Sequence, residues 1–189
     1  MKSKWLIIAS FLPALSFSQE NSSGAHINTI ASVGLAAGGD AAKPVFHLTS
    51  GLAYGRWFTG VGIGLDNYYL NSIPLFVNGK MNLGKKSPGF VYISGGYNFS
   101  YNNRNDNDDF YVTTDRFTGG FYMDAGVGYR IHLSSWHRLL LSAGYSRKDL
   151  FNKVGYTYPC LIPPCTEEIY TYHYTLGRIM TNISWEFGK

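Results

Sequence analysis

Residues 117–147, FTGGFYMDAGVGYRIHLSSWHRLLLSAGYSR, constrain this chain more than any other stretch. Every second residue from Phe117 (Gly119, Phe121, Met123, Ala125, Val127, Tyr129, Ile131, Leu133) is apolar, small or aromatic. The alternate register carries Gly120, Tyr122, Asp124, Gly126, Gly128, Arg130 and His132. A period of two predicts a strand, because successive side chains of a strand point to opposite faces. Soluble strands run about 5–6 residues, whereas this alternation holds for about 17. A strand that long, with one greasy and one polar face, fits a barrel whose greasy face meets lipid. After Ser134, Ser135, Trp136 and His137 the pattern returns, with Leu139, Leu141, Ala143 and Tyr145 against Leu140, Ser142, Gly144 and Ser146. The stretch is therefore a hairpin with a tight turn.

The N-terminus reads MKSKWLIIASFLPALSFSQE. Lys2 and Lys4 precede an apolar core from Trp5 to Leu15, and small residues stand at Ser16 and Ser18. This is the pattern of a secretory signal, residues 1–18, cleaved after Ser18, leaving 19–189 as one barrel domain. Removing Lys2 and Lys4 and no acid takes the formal charge from +4 to +2. With no Lys/Arg run, nothing supports a nucleic-acid partner. No residues point to a cofactor or a metal site. Export exposes Cys160 and Cys165 to an oxidising compartment, where a local disulfide is the default and free thiols are the alternative. Their spacing suits neither a redox pair nor, without a second pair, zinc.

Taken in order, the period-two pattern gives strands at about 27–37, 45–56, 59–68, 73–83 and 90–101. The hairpin supplies the sixth, from 117, and the seventh, to about 149; the eighth runs over about 172–187. Residues 102–115 and 152–171 read as long loops. The expected fold is an all-β, eight-stranded, antiparallel up-and-down transmembrane barrel with both termini periplasmic. Eight strands enclose an interior that side chains fill, so an open pore is not expected. Interior glycines such as Gly62, Gly64 and Gly128 make room for larger neighbours.

The run from Thr59 to Asp66 (TGVGIGLD), then Ile73-Pro74-Leu75-Phe76, then Gly126-Val127-Gly128-Tyr129-Arg130, resembles the small outer-membrane β-barrel family of the Bacteroidetes. That family falls in the broad OmpA/OmpX-like eight-stranded class. The Phe17-Ser18-Gln19 end of the leader is similar to leaders of that group's exported proteins. The resemblance implies an outer-membrane location, with lipid and lipopolysaccharide around the wall. The last strand, Ile183-Ser184-Trp185-Glu186-Phe187, resembles the signal read by the barrel-assembly machinery, with Gly188 and Lys189 added after the aromatic.

The polar register places Asp66, Lys80, Asp124, Arg130, Arg178 and Glu186 in the lumen, with His47, Asn78, Asn82, His132 and Asn182. Three acids against three bases read as a paired network that plugs the interior, since buried charge must be paired and hydrogen-bonded. An ion or proton path is the alternative. His173-Tyr174-Thr175 compares with the His-x-Ser motif of lipid A deacylases, which are also eight-stranded barrels. Thr175 replaces the serine, and no acid stands in sequence to orient His173, so His173 is only a weak catalytic candidate. Asn105-Asp106-Asn107-Asp108-Asp109 has calcium-loop composition without the glycine and terminal acid such a loop needs, and reads as a solvated loop tip, with weak calcium binding between lipopolysaccharide phosphates as the alternative. Tyrosines of the two long loops offer a contact surface for a ligand or partner. The reading is a non-catalytic barrel with a structural or interaction role: envelope integrity, adhesion, or a subunit of an envelope complex. A lipid-modifying barrel enzyme and a soluble lipocalin-like barrel are the alternatives.

Overall fold

A computed structural model describes residues 24–39, 41–84, 87–101, 112–157 and 166–188. The leader at 1–18, Cys160, Cys165 and the Asn105–Asp109 segment lie outside these residues. Eight strands follow one another around a closed antiparallel barrel: β1 (Ala25–Gly38), β2 (Ala41–Tyr54), β3 (Trp57–Asp66), β4 (Ser72–Asn82), β5 (Gly89–Ser100), β6 (Val112–His132), β7 (His137–Thr157) and β8 (Glu167–Phe187). Closure comes from β1 against β8, from Thr29↔Phe187 to Ala37↔Ile179.

The alternation in sequence becomes an inverted distribution of polarity. Ile27, Val61 and Ile183 point outward and are 61%, 65% and 60% exposed, while Asp66, Lys148 and Arg178 point inward at 0%, 0% and 1%. A water-soluble domain buries the first set and exposes the second. The reverse arrangement is that of a membrane-spanning barrel, with lipid as the outer solvent. Aromatics flank the belt: Tyr54, Trp57, Tyr129 and Trp136 toward one end, and Tyr69, Tyr97, Tyr101 and Tyr145 toward the other, all exposed. Their amphipathic rings suit the headgroup level.

One end carries the tight reversals after β2, β4 and β6 and is called the turn end below. The first of them relies on Gly55, whose φ of 59° is accessible to glycine at low cost. At the other end β6, β7 and β8 outgrow the barrel. Each has 21 residues, against 10 to 14 for the others. Pairing of β5 with β6 stops at Asn98↔Gly120, and pairing of β1 with β8 stops at Ala37↔Ile179. Beyond these points β6, β7 and β8 continue as a three-stranded extension, with β7–β8 pairing out to Thr157↔Glu167. Much of what reads as loop in the sequence (112–115, 152–157 and 167–171) is strand here. Without lipid on one side, nothing selects an alternating pattern, so these segments carry no period-two signal.

A second departure lies within β6. A bulge between Gly119 and Tyr122 inserts a residue opposite β7. Below it, Tyr122 and Asp124 oppose Lys148 and Ser146; above it, Gly119 and Phe117 oppose Leu150 and Asn152. Opposed residues share a face, and Lys148, Leu150 and Asn152 are all buried. Phe117 and Gly119 are therefore on the inward face, not in the outward row with Phe121 where strict alternation places them. An extra residue flips every side chain beyond it.

Candidate functional site

The lumen is filled in layers. Nearest the extension, Asp66 at the end of β3 meets Arg178 of β8 at 2.5 Å and Lys148 of β7 at 3.6 Å. The Lys148 ammonium also donates to Ser72 Oγ at 2.7 Å, the Tyr68 carbonyl at 3.0 Å and the Leu70 carbonyl at 3.2 Å. The β3–β4 connection is thereby tied across the barrel mouth. Tyr68 closes the layer, donating its hydroxyl to the Gly38 carbonyl, with the Arg178 guanidinium 5.5 Å from its ring centre.

Below lies a ring layer. His47 meets Phe76 edge-on at 5.3 Å between ring centres, and Phe76 lies 5.7 Å from Tyr122. Glycines of β3 admit these rings: a Cβ on Gly62 would stand 2.4 Å from the Phe76 ring, and one on Gly64 2.4 Å from the His47 ring. Next to them Tyr92 donates to Asp124 at 3.2 Å and Asn78 to Ser94 at 2.8 Å. A void of only about 60 Å³ remains at this level.

At the turn end Glu186 of β8 accepts from Asn28 at 2.8 Å and from Lys80 at 2.9 Å, and lies 3.7 Å from Arg138. The Lys80 ammonium sits between Phe58 and Phe90, 5.2 and 5.7 Å from the two ring centres. Cation–π attraction and the ion pair together hold this charge inside. Outside the Phe58–Phe90 layer the lumen opens into a cavity of about 140 Å³.

Of the residues singled out in the sequence, Asp66, Lys80, Asp124, Arg178 and Glu186 are buried in the lumen. His47, Asn78, Asn82 and Asn182 also line it, Arg130 is half-buried at the turn-end mouth, and His132 is exposed at its rim. They form two separate ionic clusters with a largely neutral layer between. Lys148 and Arg138 were missed. Both continue the inward row of Leu140, Ser142, Gly144 and Ser146, and a longer β7 reaches them. With them, Lys80, Arg130, Arg138, Lys148 and Arg178 face Asp66, Asp124 and Glu186, so the interior carries excess positive charge and not the near balance of the sequence reading.

His173 is not in the lumen. It pairs with Phe151 on the outward face of the extension and stacks on that ring at 4.5 Å. Its Nε2 lies 3.8 Å from Asp149 Oδ2. An acid is thus beside His173, contrary to the sequence reading, because the β7–β8 register sets Asp149 opposite Thr175. That carboxylate also accepts from Arg147 Nε and Nη2 at 3.2 and 3.3 Å. Among the described residues, no three His, Cys, Asp or Glu side chains converge to hold a metal ion.

The fold is similar to that of OprG. The crystal structure of this outer-membrane protein from Pseudomonas aeruginosa matches with a TM-score of 0.55 at 10% identity, over 88% of this chain and 96% of OprG. Neisserial surface protein A covers 87% of this chain and 98% of its own, at 14% identity, but its TM-score of 0.37 carries no argument. No protein-family model and no curated protein sequence matches the chain. The likeness to OprG extends to the barrel and to nothing about activity.

Proposed function

We propose that this chain is a non-catalytic outer-membrane barrel that acts as an interaction protein through its three-stranded extension. The observation that carries the reading is the combination of a lumen closed by two ionic clusters with a sheet that rises past the belt. A blocked interior offers no route for transport, and the extension offers both a face and an edge. Tyr170 and Tyr172 are 45% exposed there and Ile169 66%. From Thr171 to Leu176, β8 pairs among the described residues with β7 alone. A sheet edge with aromatic neighbours can take a further strand from a partner. In the proposed orientation the turn end and both termini are periplasmic, lipopolysaccharide surrounds the extension side, and Phe187 ends the strand read by the assembly machinery. Membership of the Bacteroidetes barrels of the OmpA/OmpX-like class remains part of this proposal, as does cleavage of residues 1–18.

The barrel part is tested by electrophoresis. Folded protein should migrate faster than boiled protein and should stay soluble only with detergent. The interaction part is tested by trimming. Replacing the extension with short hairpins should leave the heat-dependent shift intact and abolish adherence of expressing cells to other cells. Unchanged adherence by the trimmed barrel would overturn the interaction role.

The Asp149–His173 contact supports a second reading, a lipid-modifying enzyme of the deacylase type with Thr175 as nucleophile. Against it, Arg147 already shares the Asp149 charge and Phe151 covers one face of the imidazole. Lipid A from cells expressing His173→Ala should be acylated as in wild type; a change specific to that variant would favour the enzyme.

A further inference from the structure

We infer that the cavity at the turn end is a binding site for a free, phosphate-type dianion. It is about 140 Å³ in volume and is walled by Asn28, Lys80, Arg130, Arg138 and Glu186, with His26 and His132 at its lip. Lys80 neutralises Glu186 at 2.9 Å. Arg138 reaches that same carboxylate only at 3.7 Å. The Arg130 guanidinium makes no hydrogen bond or ion pair with any described residue, and its Nε is buried without a partner. Two guanidinium charges are therefore left without an adequate counter-charge inside a concave, partly desolvated mouth.

Leaving buried guanidinium donors unmet is costly, and a protein seldom gathers such charges without something that answers them. Guanidinium groups present forked donors that match the oxygens of phosphate and bind them in pairs. An excess of two positive charges is answered in full by one dianion. The positions are fixed by the fold: Arg130 and Arg138 project from adjacent strands, β6 and β7, on the inward rows that also place Gly128 and Leu140. Below the site, Phe58 and Phe90 seal the lumen, so an anion can bind here and cannot pass. The cavity opens along the barrel axis and not through the wall, which suits a solute from the aqueous side. A lipid headgroup offers the same phosphate chemistry but would have to bend over the rim.

The experiment uses the folded protein in an uncharged maltoside detergent, titrated with inorganic phosphate near neutral pH at low chloride and read by calorimetry. Saturable binding of one phosphate per chain is expected. Arg130→Gln should weaken it about tenfold, the loss expected from one charge-assisted hydrogen-bonding group, and Arg130→Lys should fall between. Arg56→Gln is the control: Arg56 lies at the same end, outside the cavity, and caps the Asn82 and Leu83 carbonyls. It should bind phosphate as wild type does. The heat-dependent gel shift verifies the fold of each variant, and Arg130→Lys serves if Arg130→Gln fails to fold. Absence of saturable binding, or equal loss in Arg56→Gln, would overturn the site. In a second arm, nanodiscs of phosphatidylglycerol are compared with nanodiscs of phosphatidylcholine. Competition with phosphate by the anionic lipid alone would replace the free-anion assignment with a lipid headgroup.

Discussion

Lys148 offers the sharpest test of how the lumen is held. Its ammonium is wholly buried and is met by Ser72 Oγ, two carbonyls of the β3–β4 connection and Asp66. Lys148→Met keeps length and most of the volume while removing every one of these interactions. Asp66 keeps its Arg178 partner, so no unpaired charge is created, and relief of Lys148 desolvation partly offsets the loss. What remains is the Leu70 carbonyl and Ser72 Oγ without a donor, each costing about 1–3 kcal/mol when buried, while the Tyr68 carbonyl keeps the Leu70 N–H at 2.8 Å. Set against the offset, a net loss of about 3 kcal/mol is expected. Asp66→Asn leaves two cations facing one another without their carboxylate, and breaking a buried pair from one side costs about 3–5 kcal/mol. The double variant Asp66→Asn/Lys148→Met removes one of those cations and should be less destabilised than the sum by about 1–3 kcal/mol. The assay is urea unfolding in phospholipid vesicles, followed by tryptophan fluorescence, with folding and unfolding curves superimposed. A Lys148→Met loss below about 1 kcal/mol would mean that water reaches the Leu70 carbonyl and Ser72 Oγ and that the layer is wet. Additivity of the two substitutions within about 0.5 kcal/mol would refute coupling through Asp66.

A Cβ on Gly119 of β6 would run into the Asn98 carbonyl oxygen of β5. Gly119→Ala should therefore destabilise by about 2 kcal/mol or more in the same titration. Gly95, with open space where its Cβ would stand, should accept alanine at no loss or a gain of about 0.5 kcal/mol. In planar bilayers the wild-type barrel should give no stable conductance steps. A variant with Asp66→Ala and Arg178→Ala should also stay closed, because the Phe58–Lys80–Phe90 layer is untouched; steady current through that variant would show that the upper cluster alone seals the lumen.

The opening hairpin shows how much of this was legible beforehand. Leu139, Leu141, Ala143 and Tyr145 stand outward as their alternation requires, since lipid selects an apolar residue at every second position and the lumen does not. The same local rule reports strand number and wall polarity from β1 to β8. It is silent where lipid is absent, which is why 152–157 and 167–171 read as loop although they pair as strands. It is also blind to an inserted residue, and so assigned Phe117 and Gly119 to the wrong face. The candidate site was legible only as a set of inward positions. Nothing in the order of residues shows that Lys148 crosses to the β3–β4 connection or that Arg138 shares Glu186 with Lys80.

The sequence by itself determined the wall: eight segments with an apolar row outside, a polar row inside, and aromatics at the borders. That information is local, because strand side chains alternate whatever the partner. Tertiary structure decided register, the bulge and the height of β6–β8, and through them every pairing of charges. The Asp149 carboxylate came to lie beside His173 only because β7 and β8 pair at Asp149↔Thr175. Arg130 and Arg138, set side by side by the β6–β7 hairpin, came to share one cavity with Lys80 and Glu186 only because the barrel closes around them. Lys80 and Glu186 are 106 positions apart, and only closure of the sheet brings such residues together.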